Sequence, residues 1–202
     1  MQARFEIGID EAGRGPLAGP VAVGVVKVAA DFDWGLIPGV GDSKKVSPIN
    51  REAIYGRALQ LKKAGKLDFA VVQTSATYID AKGIVPAIRL AMKKGLAEVK
   101  ADPNCCYIKL DGSLKAPIDF LQETIIKGDA KELVIGLASI LAKVTRDRYM
   151  ETLSRKSQFI NYAFDAHKGY GTKEHRRQIS HHGISTEHRA SYCQNRHLWG
   201  KL

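Results

Sequence analysis

Asp10 and Glu11 are adjacent carboxylates at the end of a short apolar run, and Gly13-Arg14-Gly15 follows at once. Carboxylates at a strand end are natural ligands for hard divalent cations. A Gly-Arg-Gly turn brings backbone N–H groups and a guanidinium to whatever anion sits there. Two more acids are similarly placed: Asp111 follows the apolar run 106–110, and Asp129 lies just beyond residues 123–127. Taken singly, Asp111-Gly112 and Gly128-Asp129 are ordinary turn dipeptides. Their common placement is the signal, because carboxyl ends of neighbouring parallel strands meet. Four such carboxylates repel one another, so without a cation at least one pKa must rise. With two divalent ions the same cluster becomes a clamp for in-line phosphodiester cleavage. Consecutive strand side chains point to opposite faces, so Glu11 is expected where the strand has begun to turn.

Strands must hold these acids in place. Apolar runs predict strands over 5–9, 21–28, 67–74, 106–110 and 123–127. Ser47-Pro48 opens a helix to about Ala64. Ile84, Ile88, Ala91, Met92 and Val99 recur at helical spacing over 84–100. A long helix over 131–154 has Leu133, Leu137, Ile140, Leu141 and Val144 as its core stripe, and Thr172 caps a last helix that Gly183 stops. Strands first, then helices alternating with strands, predict a mixed α/β sheet with helices on both faces.

The chain has 202 residues, 45% of them hydrophobic, which suits one domain with a real core. Its 31 Lys and Arg exceed 21 Asp and Glu, giving a formal charge of +10 that favours a polyanionic partner, nucleic acid before a membrane surface. Cys105, Cys106 and Cys193 form no zinc spacing and no even disulfide set, and no apolar stretch could span a bilayer. A reduced, cytoplasmic protein is the expectation. No histidine sits in the acidic motifs, and His181-His182 falls where a cation suits a helix end.

The segments Gly8-Ile9-Asp10-Glu11-Ala12-Gly13-Arg14-Gly15-Pro16, Asp42-Ser43-Lys44-Lys45, Leu110-Asp111-Gly112 and Lys127-Gly128-Asp129-Ala130-Lys131 carry a family pattern. The run Ala138-Ser139-Ile140-Leu141-Ala142-Lys143-Val144-Thr145-Arg146-Asp147 completes it. From about residue 5 to 180 the chain resembles ribonuclease HII, the type 2 ribonuclease H. The resemblance implies a ribonuclease H-like five-stranded sheet flanked by helices, one catalytic domain over 1–202, with 160–202 a small helical extension that helps bind substrate. It also implies an endonuclease that cuts the RNA strand of RNA–DNA hybrids. Such an enzyme would incise 5′ of single ribonucleotides in duplex DNA, leaving 3′-hydroxyl and 5′-phosphate ends. Two Mg2+ or Mn2+ ions would be held by Asp10, Glu11, Asp111 and Asp129.

By the same resemblance Gly13, Arg14 and Gly15 would feel the 2′-hydroxyl, which separates RNA from DNA. Tyr170 would stack on sugar at the RNA–DNA junction, and Ser43, Lys44 and Lys45 would hold phosphates. Ser139 and Lys143 would face the substrate groove, unless Lys143 pairs with Asp147 along the helix. Gly136-Leu137 stands where small alanines are expected and is read as touching no ligand. A monomer is expected. A sliding-clamp contact through the tail has no clear motif behind it. Two alternatives are a binding module that lost catalysis, disfavoured by four intact acids, and another metal nuclease of the same fold, disfavoured by Arg14 and Tyr170.

Overall fold

Alternation decides which face each strand residue serves. In β2 (Val21–Ala29), Val21, Val23 and Val25 pack to one side and Val26 and Val28 to the other, all buried. A strand apolar on both faces belongs in a sheet covered on both sides. The computed structural model describes residues 4–112, 115–195 and 199, and places β2 in that way. β1 (Phe5–Ala12), β2, β3 (Leu67–Thr74), β4 (Cys106–Asp111) and β5 (Leu121–Ile125) form one sheet in the order β3-β2-β1-β4-β5. β2 runs antiparallel to β1 and β3, whereas β4 is parallel to β1 and β5 to β4. The expected mixed sheet is present, with the three acid-bearing segments side by side.

The helices are α1 (Pro48–Lys63), α2 (Ala76–Lys82), α3 (Ile84–Glu98), α4 (Gly128–Lys131), α5 (Leu133–Ser154), α6 (Phe164–His167) and α7 (Lys173–His182). α3 covers one face, packing Ala87, Ile88, Ala91, Met92 and Leu96 on Ile7, Ile9, Val23 and Ile108. α1 and α5 cover the other through Ile54, Ala58, Leu61, Leu137, Ile140, Leu141 and Val144. Each fully buried aliphatic side chain contributes roughly 1.5–3 kcal/mol. α5 lies unusually close to the sheet. A Cβ on Gly8 would sit 2.2 Å from the Val134 carbonyl oxygen, and one on Gly24 would sit 2.3 Å from that of Ala138. Only strands without side chains at these points let α5 settle so low.

Some boundaries differ from expectation. α2 was not foreseen: Ser75 caps it by accepting from the Tyr78 N–H, and Gly83 at φ 88 separates it from α3. β5 lies two residues earlier, because Lys127 at φ 57 already turns the chain into α4. Glu132 is extended, so α4 and α5 are separate, and Leu133 is 42% exposed rather than part of the core stripe. Beyond α5, a 3-10 turn (Ser157–Tyr162), α6, α7 and another 3-10 turn (Ala190–Tyr192) occupy the expected extension. It packs back on α5 through Met150, Leu153, Phe159, Tyr162 and Phe164. Thr172 and Gly183 bound α7 as expected. His197 and the ends of the chain lie outside the described residues. Among the described residues no helix is long and apolar enough to cross a membrane.

Candidate active site

Asp10 and Asp111 stand side by side because β1 and β4 pair in register up to Ile9 and Leu110. Both belong to the sheet face that α5 covers, since they alternate with Ile9 and Leu110 on the α3 face. Asp10 is buried, and lies within β1 rather than just beyond it. Glu11 corrects a further expectation. It is still strand, opposite Val23, because β2 continues to pair with β1 after β4 has ended. Glu11 therefore stands at an open sheet edge, where its carboxylate is 3.0 Å from Arg14 Nη1. Asp129 lies in the first turn of α4, and the Gly128 N–H donates to Asp111 Oδ1 at 2.6 Å, fastening that turn to β4.

The electrostatics tie the four acids into one cluster. Burial pushes the Asp10 carboxyl up to about 7, with Glu11 and Asp111 adding repulsion against the opposing Ser139 hydroxyl. Burial and Asp111 likewise raise Glu11, opposed by Arg14. Asp129 is raised by burial, by Asp111 and by Asp42, opposed by Lys44. Asp111 is thus felt by all three others. Asp42 stands in the sequence only within the Asp42-Ser43-Lys44-Lys45 segment, with no role of its own assigned to it. Among the described residues no group of three or more His, Cys, Asp or Glu side chains could hold a metal ion as it stands. Glu11 is engaged by Arg14 and Asp111 by Gly128, and mutual repulsion opposes closer approach. The donors are all carboxylate oxygens, which suits Mg2+ or Mn2+ and not a soft metal.

The turn after Glu11 is held from behind. Gly13 has φ 89, and a Cβ there would lie 2.0 Å from Arg146 Nε. Arg146 on α5 and Arg189 beyond α7 are both fully buried, and both donate to carbonyls of the 13–20 segment. Neither was singled out from the sequence. Arg146 carried a weak signal as a charge within the apolar pattern of α5, and Arg189 only opens the segment Arg189-Ala190-Ser191-Tyr192, a loose likeness to the family's ending with no role assigned to it. Tyr170 is 43% exposed, and its ring lies 5.7 Å from the Arg146 guanidinium, so it is not buried in the core.

Other nominated residues fall nearby with different surroundings. Ser43 and Ser139 are buried and joined by a 2.8 Å hydrogen bond that ties the 41–45 loop to α5. Lys44 and Lys45 are exposed. Lys143 pairs with Asp147 at 2.7 Å, the alternative left open by their spacing. Gly136 packs against the backbone of Asp129: a Cβ there would lie 2.9 Å from the Asp129 carbonyl oxygen.

A family model described as Ribonuclease HII matches residues 7–200. The chain belongs to the ribonuclease HII family. A Ribonuclease HII from Bacillus cereus (strain AH820) is 44% identical over 186 residues, covering 92% of this chain and 68% of that protein. Among solved structures, ribonuclease H2 from Pyrococcus horikoshii OT3 superposes with a TM-score of 0.71 at 23% identity, covering 98% of this chain and all of that one. RNase HII from Archaeoglobus fulgidus, solved as a complex with PCNA, gives 0.71 at 25% identity over 94% of each chain. The sheet and its helices are ribonuclease H-like. As a ribonuclease HII the enzyme is a divalent-metal-dependent endoribonuclease that acts on RNA–DNA hybrids.

Proposed function

We propose that this ribonuclease HII incises on the 5′ side of a ribonucleotide, in hybrids and at single ribonucleotides within duplex DNA, leaving 3′-hydroxyl and 5′-phosphate ends. The observation that carries the reading is a continuity. Asp10-Glu11 leads straight into the exposed Arg14-Gly15 turn, and Arg146 behind that turn reaches the exposed Tyr170 ring. An acidic cluster and a sugar-reading surface thus share one support.

In this reading Asp10, Glu11, Asp111 and Asp129 hold two divalent ions, Mg2+ or Mn2+, which when bound would supply an activated water and stabilise the leaving 3′ oxygen. Gly13, Arg14 and Gly15 present backbone donors to the 2′-hydroxyl. Tyr170 offers its face to the adjoining sugar. Lys44 and Lys45 hold backbone phosphates, and the buried Ser43–Ser139 bond keeps their loop beside α5. Lys143 lines the groove in its pair with Asp147. Residues 1–202 act as one catalytic domain, with 160–202 helping to bind the duplex. The enzyme works as a cytoplasmic monomer in ribonucleotide removal during DNA repair and replication. A sliding-clamp contact rests on the Archaeoglobus complex alone.

The test is cleavage of a labelled duplex containing one ribonucleotide, with Mg2+, with Mn2+ and with chelator. A metal-dependent nick immediately 5′ of the ribonucleotide is expected. Asp10→Asn and Asp129→Asn should abolish the nick and retain duplex binding. Wild-type rates in both variants would discard the acid set. Cutting of long hybrid without the single-site nick would discard the sugar-reading turn.

A further inference from the structure

Arg189 is fully buried, and among the described residues no carboxylate forms an ion pair with it. Its guanidinium donates to the carbonyls of Gly13 at 2.6 Å, Arg14 at 2.9 Å and Gly19 at 2.9 and 3.0 Å. Burial, reinforced by the neighbouring Arg146 charge, lowers its pKa to about 10, which leaves it cationic at neutral pH. Two buried cations answered by neutral carbonyls cost stability compared with an apolar pair. What they fix is the course of the backbone behind the turn.

The consequence follows from peptide geometry. Among the described residues there are no cis peptide bonds, and in a planar trans peptide the C=O and the following N–H point in opposite directions. Drawing the Gly13 and Arg14 carbonyls inward onto Arg189 turns the N–H groups of Arg14 and Gly15 outward. Among the described residues neither N–H donates a hydrogen bond, although both residues are exposed. A Cβ on Gly15 would meet nothing within 4 Å, so space lies open before the turn. Arg189 is itself strapped down. Its own N–H donates to the Leu17 carbonyl at 2.7 Å, and Asp80 of α2 accepts from the Ala190 and Ser191 N–H groups at 2.7 and 3.0 Å.

We propose that Arg189 is a positioning residue for ribonucleotide recognition, aiming the Arg14 and Gly15 N–H groups at the 2′-hydroxyl oxygen. This rests on the reading of residues 13–15 given above. Arg189 touches no substrate. It acts from the tail, so a segment remote in sequence decides whether the turn discriminates RNA from DNA.

The experiment compares affinities for a duplex with one ribonucleotide and for the same all-DNA duplex, in Asp129→Asn protein with and without Arg189→Lys. Lysine keeps the charge but cannot span three carbonyls. The ribonucleotide preference should fall about tenfold, the equivalent of one well-aimed hydrogen bond, with all-DNA affinity unchanged. An unchanged preference, or equal loss on both duplexes, overturns the assignment. If Asp129→Asn protein alone shows no preference, the reading of the turn fails and the assignment falls with it. Amide exchange in the unsubstituted enzyme gives a second test that needs no variant. The Arg14 and Gly15 amides should exchange fast in the free protein and slowly with the ribonucleotide duplex, but not with all-DNA. Slow exchange in the free protein would show that these amides are not presented.

Discussion

Gly13 and Gly15 flank the same arginine, yet their surroundings differ. Gly13 sits at positive φ with the Arg146 guanidinium against it, so Gly13→Ala forces both strain and a clash, costing about 1–3 kcal/mol. Gly15 faces open space, so Gly15→Ala should leave the melting temperature unchanged and reduce cleavage at a single ribonucleotide. Thermal melting beside cleavage assays checks the pair, and equal destabilisation by both would contradict the packing described. The sequence made residues 13–15 visible because three small-basic-small residues after two acids are unusual. It left Arg189 without a role, since its acceptors lie some 170 positions away and are backbone oxygens that no side-chain pattern encodes.

At the scale of elements, the descent of α5 onto β1 and β2 sets the depth of Ser139 beside Asp10. Gly24→Ala should push the helix off the sheet at Ala138, costing about 1–3 kcal/mol and lowering cleavage as Ser139 withdraws. Denaturant unfolding together with single-turnover rates measures both effects, and a stable variant with normal rates would separate the helix from the site. Most elements were legible because their periods are clear: β3 appears over the predicted residues, and α1 starts at its Ser47-Pro48 signal. β5 was misplaced because it is a largely exposed edge strand, with little apolar pattern to fix it. α2 was missed because seven residues with two buried side chains make too short a stripe.

At the scale of the molecule, a chain of neutral histidines joins the tail to the Tyr170 loop. The Ser185 N–H donates to His188 Nδ1 at 2.9 Å, His188 and His175 meet Nε2 to Nε2 at 3.0 Å, and His175 Nδ1 lies 2.9 Å from the Tyr170 carbonyl oxygen. One proton assignment satisfies all three contacts: His188 carries its proton on Nε2 and His175 on Nδ1. Burial lowers His175 to about 4 and His188 to about 3, each also opposed by neighbouring histidine charge. The unfolded chain then binds more protons below about pH 6.5, so stability is full above that value and falls as the pH drops toward 4. Thermal melts across this range should show the loss, and a flat profile would exclude the neutral pair.

The sequence by itself made legible the four candidate acids, the apolar runs that carry them and the turn that follows. These are local patterns of apolar period, carboxylate placement and glycine, which act over a few residues. Tertiary structure alone decided that β1, β4 and β5 lie side by side, that Glu11 stays in the strand, that Ser43 and Ser139 bond to each other, that a buried arginine from the tail braces the turn, and that buried histidines join the tail to the Tyr170 loop. Those outcomes depend on how deep α5 settles and on which backbone carbonyls a remote side chain can reach. Both are set by packing across the whole molecule, beyond the range of any sequence period.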